Sequence, residues 1–234
     1  MLNFFELGSP RLTDLISSPL DQQLRAIASP VRYQAGQLIH HRGDEKPGIS
    51  IVRQGVVSVG NFGVDGSIVA TTQLGQGQCF GEFTLFTSLP RTHDIFSEGD
   101  SEVDQIPGPA FMELFAKEPS LSQALLSVCL LRNHRLLEFL DDIRRLPRPA
   151  SVAKGLLLAC QNEGGEKNEI QVRQDDLANM FGVSRVSMGK ILKQLEILGL
   201  IKRGYGTIKI PDLQALDVWV KRQSTILALS AKAR

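Results

Sequence analysis

Glycines recur at short intervals in the first half of the chain, and their spacing limits what that half can fold into. Ten glycines lie between positions 36 and 81, and the segments 48–52 and 56–59 between them consist mainly of Ile and Val. Because glycine favours turns and β-branched residues favour strands, residues 33–108 are expected to form many short strands. The Asp65-Gly66 pair is typical of a hairpin turn. The pattern predicts a sandwich, barrel or roll.

The sequence becomes helical in character after Pro109. Residues 111–115 predict a short helix, and residues 120–145 contain neither Pro nor Gly, so they predict a long one that ends before Pro147 and Pro149. Steps of three and four, as in a coiled-coil seam, separate Leu126, Cys129, Asn133, Leu136, Leu140 and Ile143. We expect this seam to join two copies of the helix, with Asn133 favouring a dimer. The alternative is a seam that packs on its own β-domain, with Asn133 solvated.

A second apolar stripe on the same helix is expected to face inward. It consists of Leu121, Leu125, Val128 and Phe139. The chain is thus expected to have three parts, with residues 1–119 forming the β-domain, 120–146 the long helix and 147–234 a third unit. In the third unit we expect helices over 151–161 and 212–222, a strand over 169–172, two further helices, and a hairpin around the turn at 204–206.

Charge is distributed unevenly along the chain. Residues 1–146 carry 12 basic and 17 acidic side chains, whereas residues 147–234 carry 14 basic and 8 acidic ones. A basic C-terminal part is suited to a polyanion, although such an excess also occurs on an ordinary solvated surface.

Composition and missing motifs argue against several classes of protein. No stretch approaches the roughly 20 apolar residues of a membrane span, and the N-terminus lacks a signal pattern, so we expect a cytoplasmic protein with no membrane partner. The three cysteines lie far apart and form no CxxC pair, so no disulfide framework and no metal site are expected. Because GxSxG, HExxH and Walker motifs are absent, we expect no catalytic residues and no enzyme activity.

The segment 174–193 has the pattern of a helix-turn-helix. Leu177 and Phe181 lie four residues apart and are expected to face a core, and Ala178 between them lets a second helix cross closely. Gly182 can end the first helix in a left-handed conformation, and Ser184 can cap the second. The buried face of the second helix is expected to consist of Met188, Ile191, Leu192 and Leu195.

The other face of the second helix carries the residues that could read DNA. Arg185 can bind guanine O6 and N7 through two hydrogen bonds, and Gly189 lets a backbone approach closely. Lys202, Arg203 and Lys209 on the following hairpin could lie along the sugar-phosphate backbone. The alternative is a three-helix core with solvated basic residues. The exposed face comprises Arg185, Val186, Ser187, Gly189, Lys190 and Lys193.

Residues 173–210 resemble the winged helix of the Crp–Fnr family, and the segment 183–193 is similar to that family's recognition helix. The resemblance implies an α+β fold: an N-terminal antiparallel β-roll like a cyclic-nucleotide-binding domain, a long dimerisation helix and a C-terminal winged helix-turn-helix. It also implies that Arg185 reads guanine. The family often has Glu at the next position, where this chain has Val186, so a changed base preference is expected. The DNA-binding set implied is Gln174, Ser184, Arg185, Val186, Ser187, Gly189, Lys190, Lys193 and Arg203.

The family resemblance also implies partners and a mechanism. We expect a homodimer that binds a pseudo-palindromic operator in double-stranded DNA and works with RNA polymerase. An effector in the β-roll would reposition the long helices and, through a hinge at 141–149, the two winged helices. The alternative from another class is a ligand-binding signalling module that acts through protein partners.

A second motif, residues 80–86 followed by 90–92, resembles the phosphate-binding cassette of cyclic-nucleotide-binding domains. The resemblance implies that Gly81 and Arg91 hold a cyclic phosphate, Glu82 accepts from a ribose hydroxyl and Thr92 donates to phosphate. Cyclic AMP or another cyclic nucleotide is the expected effector, and neither haem nor an iron–sulfur cluster is expected. A Glu82–Arg91 pair that only holds the roll together is the alternative. His93 and the pair Leu136-Leu137 depart from the family's pattern, which leaves adenine specificity open.

Overall fold

The computed structural model describes residues 10–62, 68–87, 89–162 and 168–232. The chain divides into two compact units, and the boundary between Asn133 and His134 lies inside one long helix. No helix in the described ranges is long and apolar enough to cross a membrane.

Short antiparallel strands dominate the N-terminal unit, which confirms the predicted β-roll. Two four-stranded sheets have the orders β1-β8-β3-β6 and β2-β7-β4-β5, and each pairing within them is antiparallel. The predicted Asp65-Gly66 turn falls outside the described residues. The elements are α1 (Leu12–Leu15), α2 (Ser18–Ala26), β1 (Ser29–Tyr33), β2 (Leu38–His40), β3 (Gly48–Gln54), β4 (Val57–Phe62), β5 (Ile68–Leu74), β6 (Cys79–Phe80), α3 (Glu82–Phe86), β7 (Asp94–Ser97), β8 (Ser101–Pro107) and α4 (Gly108–Lys117).

Strand β3 is buried on both faces and connects two apolar clusters. Its Ile49 and Ile51 pack with residues of α1, α2, α4 and the following long helix, whereas Val52 on the opposite face packs with Phe80 and Val103. Alternate residues of a strand point to opposite sides, so one strand can serve two cores. This arrangement fixes the positions of β6 and the segment that follows it, where the candidate cassette begins.

A buried ion-pair network adds to this core. The guanidinium of Arg53 on β3 lies 2.5 Å from a carboxylate oxygen of Asp104 on β8 and 2.7 Å from one of Asp21 on α2. Burial acts to raise the pKa of Asp21, but hydrogen bonds from Arg53 and Arg25 outweigh it and hold that pKa below its usual value. The network therefore links α2 to the sheet through charged groups.

Helix α5 (Pro119–Arg145) has two different apolar faces. Leu121, Leu125 and Val128 of the predicted inward stripe are buried in the N-terminal unit, and Phe139 packs against the core of the C-terminal unit. On the seam, Leu126 has 59% of its surface exposed, and Leu136 and Leu140 are also exposed. Asn133 is exposed as well. The seam's leucines remain accessible, whereas its Cys129 packs against the N-terminal core, so the alternative in which the seam packs on its own β-domain applies to Cys129 and not to the leucines.

The C-terminal unit contains the predicted helix-turn-helix and hairpin. The strands form one antiparallel sheet with the order β10-β11-β9. Two predicted boundaries differ by more than one residue. The helix expected at 151 starts at Arg148, because Pro149 is tolerated in a first turn that needs no N–H donor, and the last helix extends past residue 222. The elements are α6 (Arg148–Asn162), β9 (Glu169–Gln171), α7 (Gln174–Met180), α8 (Arg185–Ile197), β10 (Lys202–Arg203), β11 (Thr207–Lys209) and α9 (Leu213–Lys232).

Candidate nucleic-acid interface and effector site

The turn between α7 and α8 has the geometry that the sequence predicts. Gly182 adopts a φ of +59°, in the left-handed region that favours glycine. The amide of Val183 donates to the carbonyl of Ala178 at 3.0 Å, which closes the end of α7. Ser184 caps α8, since its hydroxyl accepts a hydrogen bond from the Ser187 amide at 3.1 Å.

Helix α8 separates its residues into a buried and an exposed side. The side toward the core holds Met188, Ile191, Leu192 and Leu195, all of them buried, which confirms the predicted packing. Because of this packing the cationic side chains point away from the unit. The structure brings together on the exposed side Arg185, Val186, Ser187, Lys190 and Lys193.

Gly189 has a different neighbour from the one expected. A Cβ atom built there would lie 2.9 Å from the side-chain nitrogen of Gln174, so the space at this glycine belongs to the chain's own side chain. The prediction that this glycine lets an external backbone approach is therefore not what its surroundings show. The Gln174 amide donates to the carbonyl oxygen of Arg185 at 2.7 Å, and it therefore lies across the start of α8.

Acidic partners accompany two of the candidate DNA-binding arginines, and sequence reasoning missed both partners. The Nε of Arg185 lies 3.2 Å from a carboxylate oxygen of Asp175. Arg203 on β10 donates from its Nε and its backbone amide to the two carboxylate oxygens of Glu196, at 2.8 and 3.0 Å. Hydrogen bonds from Arg203 lower the pKa of Glu196. No local pattern signals these pairs, because each joins two elements across a turn.

Beyond these pairs, the hairpin presents an exposed tip. Lys202 and Lys209 are exposed, as the wing interpretation expects. Tyr205 at the turn is fully exposed. An aromatic ring and cations on one short hairpin are suited to contact with a sugar-phosphate backbone.

The cassette of the N-terminal unit places Gly81 and Arg91 side by side. Gly81 precedes α3 with a φ of +101°, and a Cβ atom there would lie 2.5 Å from the carbonyl oxygen of Gly48 and 2.9 Å from a terminal nitrogen of Arg91. Only glycine fits this position, because both the backbone angle and the space exclude a side chain. Arg91 is 8% exposed, so its guanidinium lies inside the unit.

Two buried polar atoms of the cassette have no hydrogen-bond partner in the part of the chain that the structure describes. Neither Nε of Arg91 nor Oε2 of Glu82 has a hydrogen-bond partner among the described residues. Burial lowers the pKa of Arg91, and the charges of Asp44 and Glu82 oppose that shift. A buried donor and a buried acceptor without partners are costly, and a bound polar ligand would satisfy both.

Glu82 is paired with a residue that sequence reasoning missed. A terminal nitrogen of Arg132 on α5 lies 3.3 Å from Oε1 of Glu82, and another donates to the carbonyl oxygen of Cys79 at 2.8 Å. Within the described residues no ion pair joins Glu82 to Arg91, so no direct contact between these two holds the roll together, although the charge of Glu82 acts on Arg91. Fifty positions separate Glu82 from Arg132, so no spacing rule could have found the pair.

Two histidines lie close to the cassette. His93 is half-buried, and its Nδ1 lies 2.9 Å from the hydroxyl of Thr92. This contact engages the same hydroxyl that was expected to donate to a phosphate. Burial, followed by the charge of Arg42, lowers the pKa of His93. Burial, followed by the charge of Arg91, lowers the pKa of His40 to about 4, so His40 is neutral near pH 7.

Models of two protein families match this chain. A cyclic nucleotide-binding domain matches residues 30–118, and a Crp-like helix-turn-helix domain matches residues 150–219. A CRP-like cAMP-activated global transcriptional regulator of Mycobacterium tuberculosis is 26% identical over 80% of this chain and 86% of its own. A cyclic AMP receptor protein of Thermus thermophilus is 24% identical over 90% of this chain and 96% of its own.

A solved structure shows the same fold. The c-di-GMP responsive global regulator CLP of Xanthomonas campestris has a TM-score of 0.66 and 20% sequence identity, over 83% of this chain and 99% of that chain.

Proposed function

The chain belongs to the Crp–Fnr family of DNA-binding, effector-controlled transcription regulators, and from this we propose that α8 reads the major groove while a cyclic nucleotide in the β-roll sets the affinity for DNA. The observation that carries the DNA-binding part is the division of α8 into a packed apolar side and an exposed side that holds Arg185, Lys190 and Lys193.

The start of α8 supplies the base-reading groups. The first residues of a recognition helix reach base edges, so Arg185 binds guanine O6 and N7 and Val186 meets an apolar group such as a thymine methyl. Ser187, Lys190 and Lys193 hold phosphates or bases, and the wing residue Arg203 follows the backbone. The other members of the set, Ser184, Gln174 and Gly189, support the start of α8: Ser184 caps it, and the Gln174 amide crosses it at Gly189.

A homodimer joined along α5 presents two such helices. The exposed leucines of the α5 seam provide an apolar surface that a second copy would cover. Two-fold symmetry then places the recognition helices in successive major grooves, about 34 Å apart, and predicts a pseudo-palindromic operator. We keep the division into 1–119, 120–146 and 147–234 for the β-roll, dimerisation helix and winged helix.

The cassette fits a ligand that is both anionic and hydroxylated. The guanidinium of Arg91 offers charge-assisted donors to a cyclic phosphate beside Gly81, and the second carboxylate oxygen of Glu82 accepts from a ribose hydroxyl. Arg91 is buried and Glu82 is largely buried, and each has a buried atom without a hydrogen-bond partner among the described residues, which favours a bound ligand over an inert pair. Two relatives are named for cyclic AMP, and this supports cyclic AMP or another cyclic nucleotide as the effector.

Arg132 gives the effector site a direct connection to α5. It contacts the Glu82 carboxylate and the Cys79 carbonyl while it belongs to the dimerisation helix. A ligand that engages Glu82 therefore competes with, or tightens, a contact that positions this helix. Such a contact allows ligand binding to shift the population of α5 conformations and, through the hinge at 141–149, of DNA-binding states.

The remaining features of the function follow from the family. The chain acts in the cytoplasm without catalysis, and RNA polymerase is its partner in regulating transcription. The match to a Crp-like helix-turn-helix domain disfavours the signalling module that acts only through proteins.

The proposed function is tested by selecting binding sites from randomised duplex DNA with the full-length chain, with and without cyclic AMP or cyclic GMP. We expect a pseudo-palindromic site, and an affinity that falls steeply with salt because phosphate contacts release counterions. Arg185→Ala should abolish the preference for one base pair in each half-site. An Arg185→Ala variant with the wild-type base preference would contradict the proposed role of Arg185 in reading guanine. If DNA affinity does not change at millimolar cyclic nucleotide, the proposed cyclic-nucleotide effector is wrong.

A further inference from the structure

Two consecutive residues in the first turn of α7 contact Arg185. The side-chain amide of Gln174 donates to the main-chain oxygen of Arg185 at 2.7 Å, and the carboxylate of Asp175 lies 3.2 Å from its Nε. One contact thus holds the backbone of the residue and the other holds its side chain.

The position of the Asp175 contact on the guanidinium leaves the DNA-reading atoms accessible. Asp175 meets Nε, whereas an end-on contact with guanine O6 and N7 uses the two terminal nitrogens. The side chain of Arg185 is 72% exposed despite the pair. The carboxylate therefore restricts the orientation of the fork without covering it.

Gly189 makes the Gln174 contact sterically possible. A Cβ atom at Gly189 would lie only 2.9 Å from the side-chain nitrogen of Gln174, so the amide crosses α8 where a side chain is missing. Gln174, Arg185 and Gly189 therefore form one contact set between α7 and α8.

We propose that Asp175 and Gln174 are positioning residues that preorganise Arg185 for guanine, so that they determine specificity without touching a base; this rests on the proposed role of Arg185. A free arginine side chain must lose rotamer entropy when it binds, and a side chain already held by a partner loses less. The negative charge of Asp175 repels phosphates at every sequence equally. That repulsion cancels from the ratio of specific to non-specific affinity, so the preorganisation of Arg185 raises this ratio even though the charge of Asp175 weakens binding overall.

The first test replaces Asp175 and uses its neighbour as a matched control. Asp175→Asn and Asp176→Asn each remove one negative charge from the same turn, but Asp176 pairs with Arg173, at 3.1 Å, and not with Arg185. Affinities are measured for the wild-type site, for that site with the Arg185-dependent guanine replaced, and for an unrelated duplex. Asp175→Asn should lower the preference for guanine roughly two- to five-fold, as suits an exposed ion pair, while Asp176→Asn should preserve it.

The second test is a double-mutant cycle on the glycine contact. Gly189→Ala should lower the guanine preference in the wild-type background by displacing the Gln174 amide. In a Gln174→Ala background it should have no further effect, because the displaced group is already absent. Equal losses in the two backgrounds would overturn the role of Gln174.

Other outcomes separate this inference from the proposed function. If Asp175→Asn and Asp176→Asn behave alike, or if Asp175→Asn sharpens the preference for guanine, Asp175 does not preorganise Arg185. If Arg185→Ala itself retains the guanine preference, the reading role fails, and the positioning role fails with it. Circular dichroism of each variant separates a loss of folding from a loss of positioning.

Discussion

The guanidinium of Arg132 lies 3.3 Å from the carboxylate of Glu82, and this pair connects the long helix to the cassette of the β-roll. Both side chains are more than four-fifths buried, so the pair offsets part of the cost of burying the two charges. The contact belongs to the N-terminal unit and involves an element that continues into the C-terminal unit.

Replacing Arg132 should therefore destabilise the N-terminal unit. Arg132→Ala leaves the Glu82 carboxylate buried without its cation, which should lower the free energy of unfolding by about 1–3 kcal/mol. Arg135→Ala is the control, because its pair with Glu138 is longer, at 3.6 Å, and more exposed. Urea denaturation measures both variants, and an equal loss in the two would contradict the importance of the Arg132 contact.

Asp104 should be among the most sensitive positions of the β-roll. Asp104→Ala removes one of the two carboxylates that pair with the buried Arg53 and leaves Asp21 as the other, so the free energy of unfolding should fall by about 1–3 kcal/mol. Glu102→Ala on the same strand breaks an exposed pair with Arg32 and should cost less than about 1 kcal/mol. The comparison of the two denaturation midpoints checks this, and a cost for Asp104→Ala as small as that for Glu102→Ala would refute it.

His40 should make folding sensitive to mild acid. The pKa of His40 is about 4 in the folded chain against an ordinary value of 6.5. Between these two pH values the unfolded chain binds a proton at His40 and the folded chain does not. The contribution of His40 to stability is complete above pH 6.5 and is lost as the pH falls toward about 4. In urea denaturation at a series of pH values across this window, the free energy of unfolding of the wild type should fall more steeply with decreasing pH than that of His40→Gln. Parallel curves would show that His40 does not titrate in this way.

Val186 should change which base pair is preferred beside the Arg185 contact. Its side chain is 69% exposed and carries no hydrogen-bonding group, whereas a glutamate can accept from the amino group of cytosine. Val186→Glu should therefore shift the selected base at that position toward cytosine. Selection from a randomised library measures the shift, and an operator identical to the wild-type one would disprove the assignment.

The leucine seam of α5 should hold two copies together. Leu136→Glu puts a charge into the proposed interface and should produce monomers in sedimentation experiments. Leu15→Glu changes a leucine of nearly the same exposure, 42% against 43%, on a helix outside the seam, and should leave the oligomeric state unchanged. Monomerisation by both variants, or by neither, would count against the seam.

Local pattern was enough to predict the elements that carry function. Glycine spacing predicted short strands, apolar periodicity predicted α5 and both faces of α8, and the order of Gly182 and Ser184 predicted the turn between α7 and α8. These features depend on near neighbours in the sequence, since backbone angles, helix caps and amphipathic faces are set within a few residues.

The partners of the charged residues were decided only by the tertiary structure. Arg185, Arg203 and Glu82 stand out in the sequence, but their partners Asp175, Glu196 and Arg132 do not. Gly189 was expected to face an external backbone, whereas in the folded chain its neighbour is Gln174. A charge pair forms where two elements bring side chains within a few ångströms, and that distance depends on how helices and strands pack, which no local spacing of residues encodes.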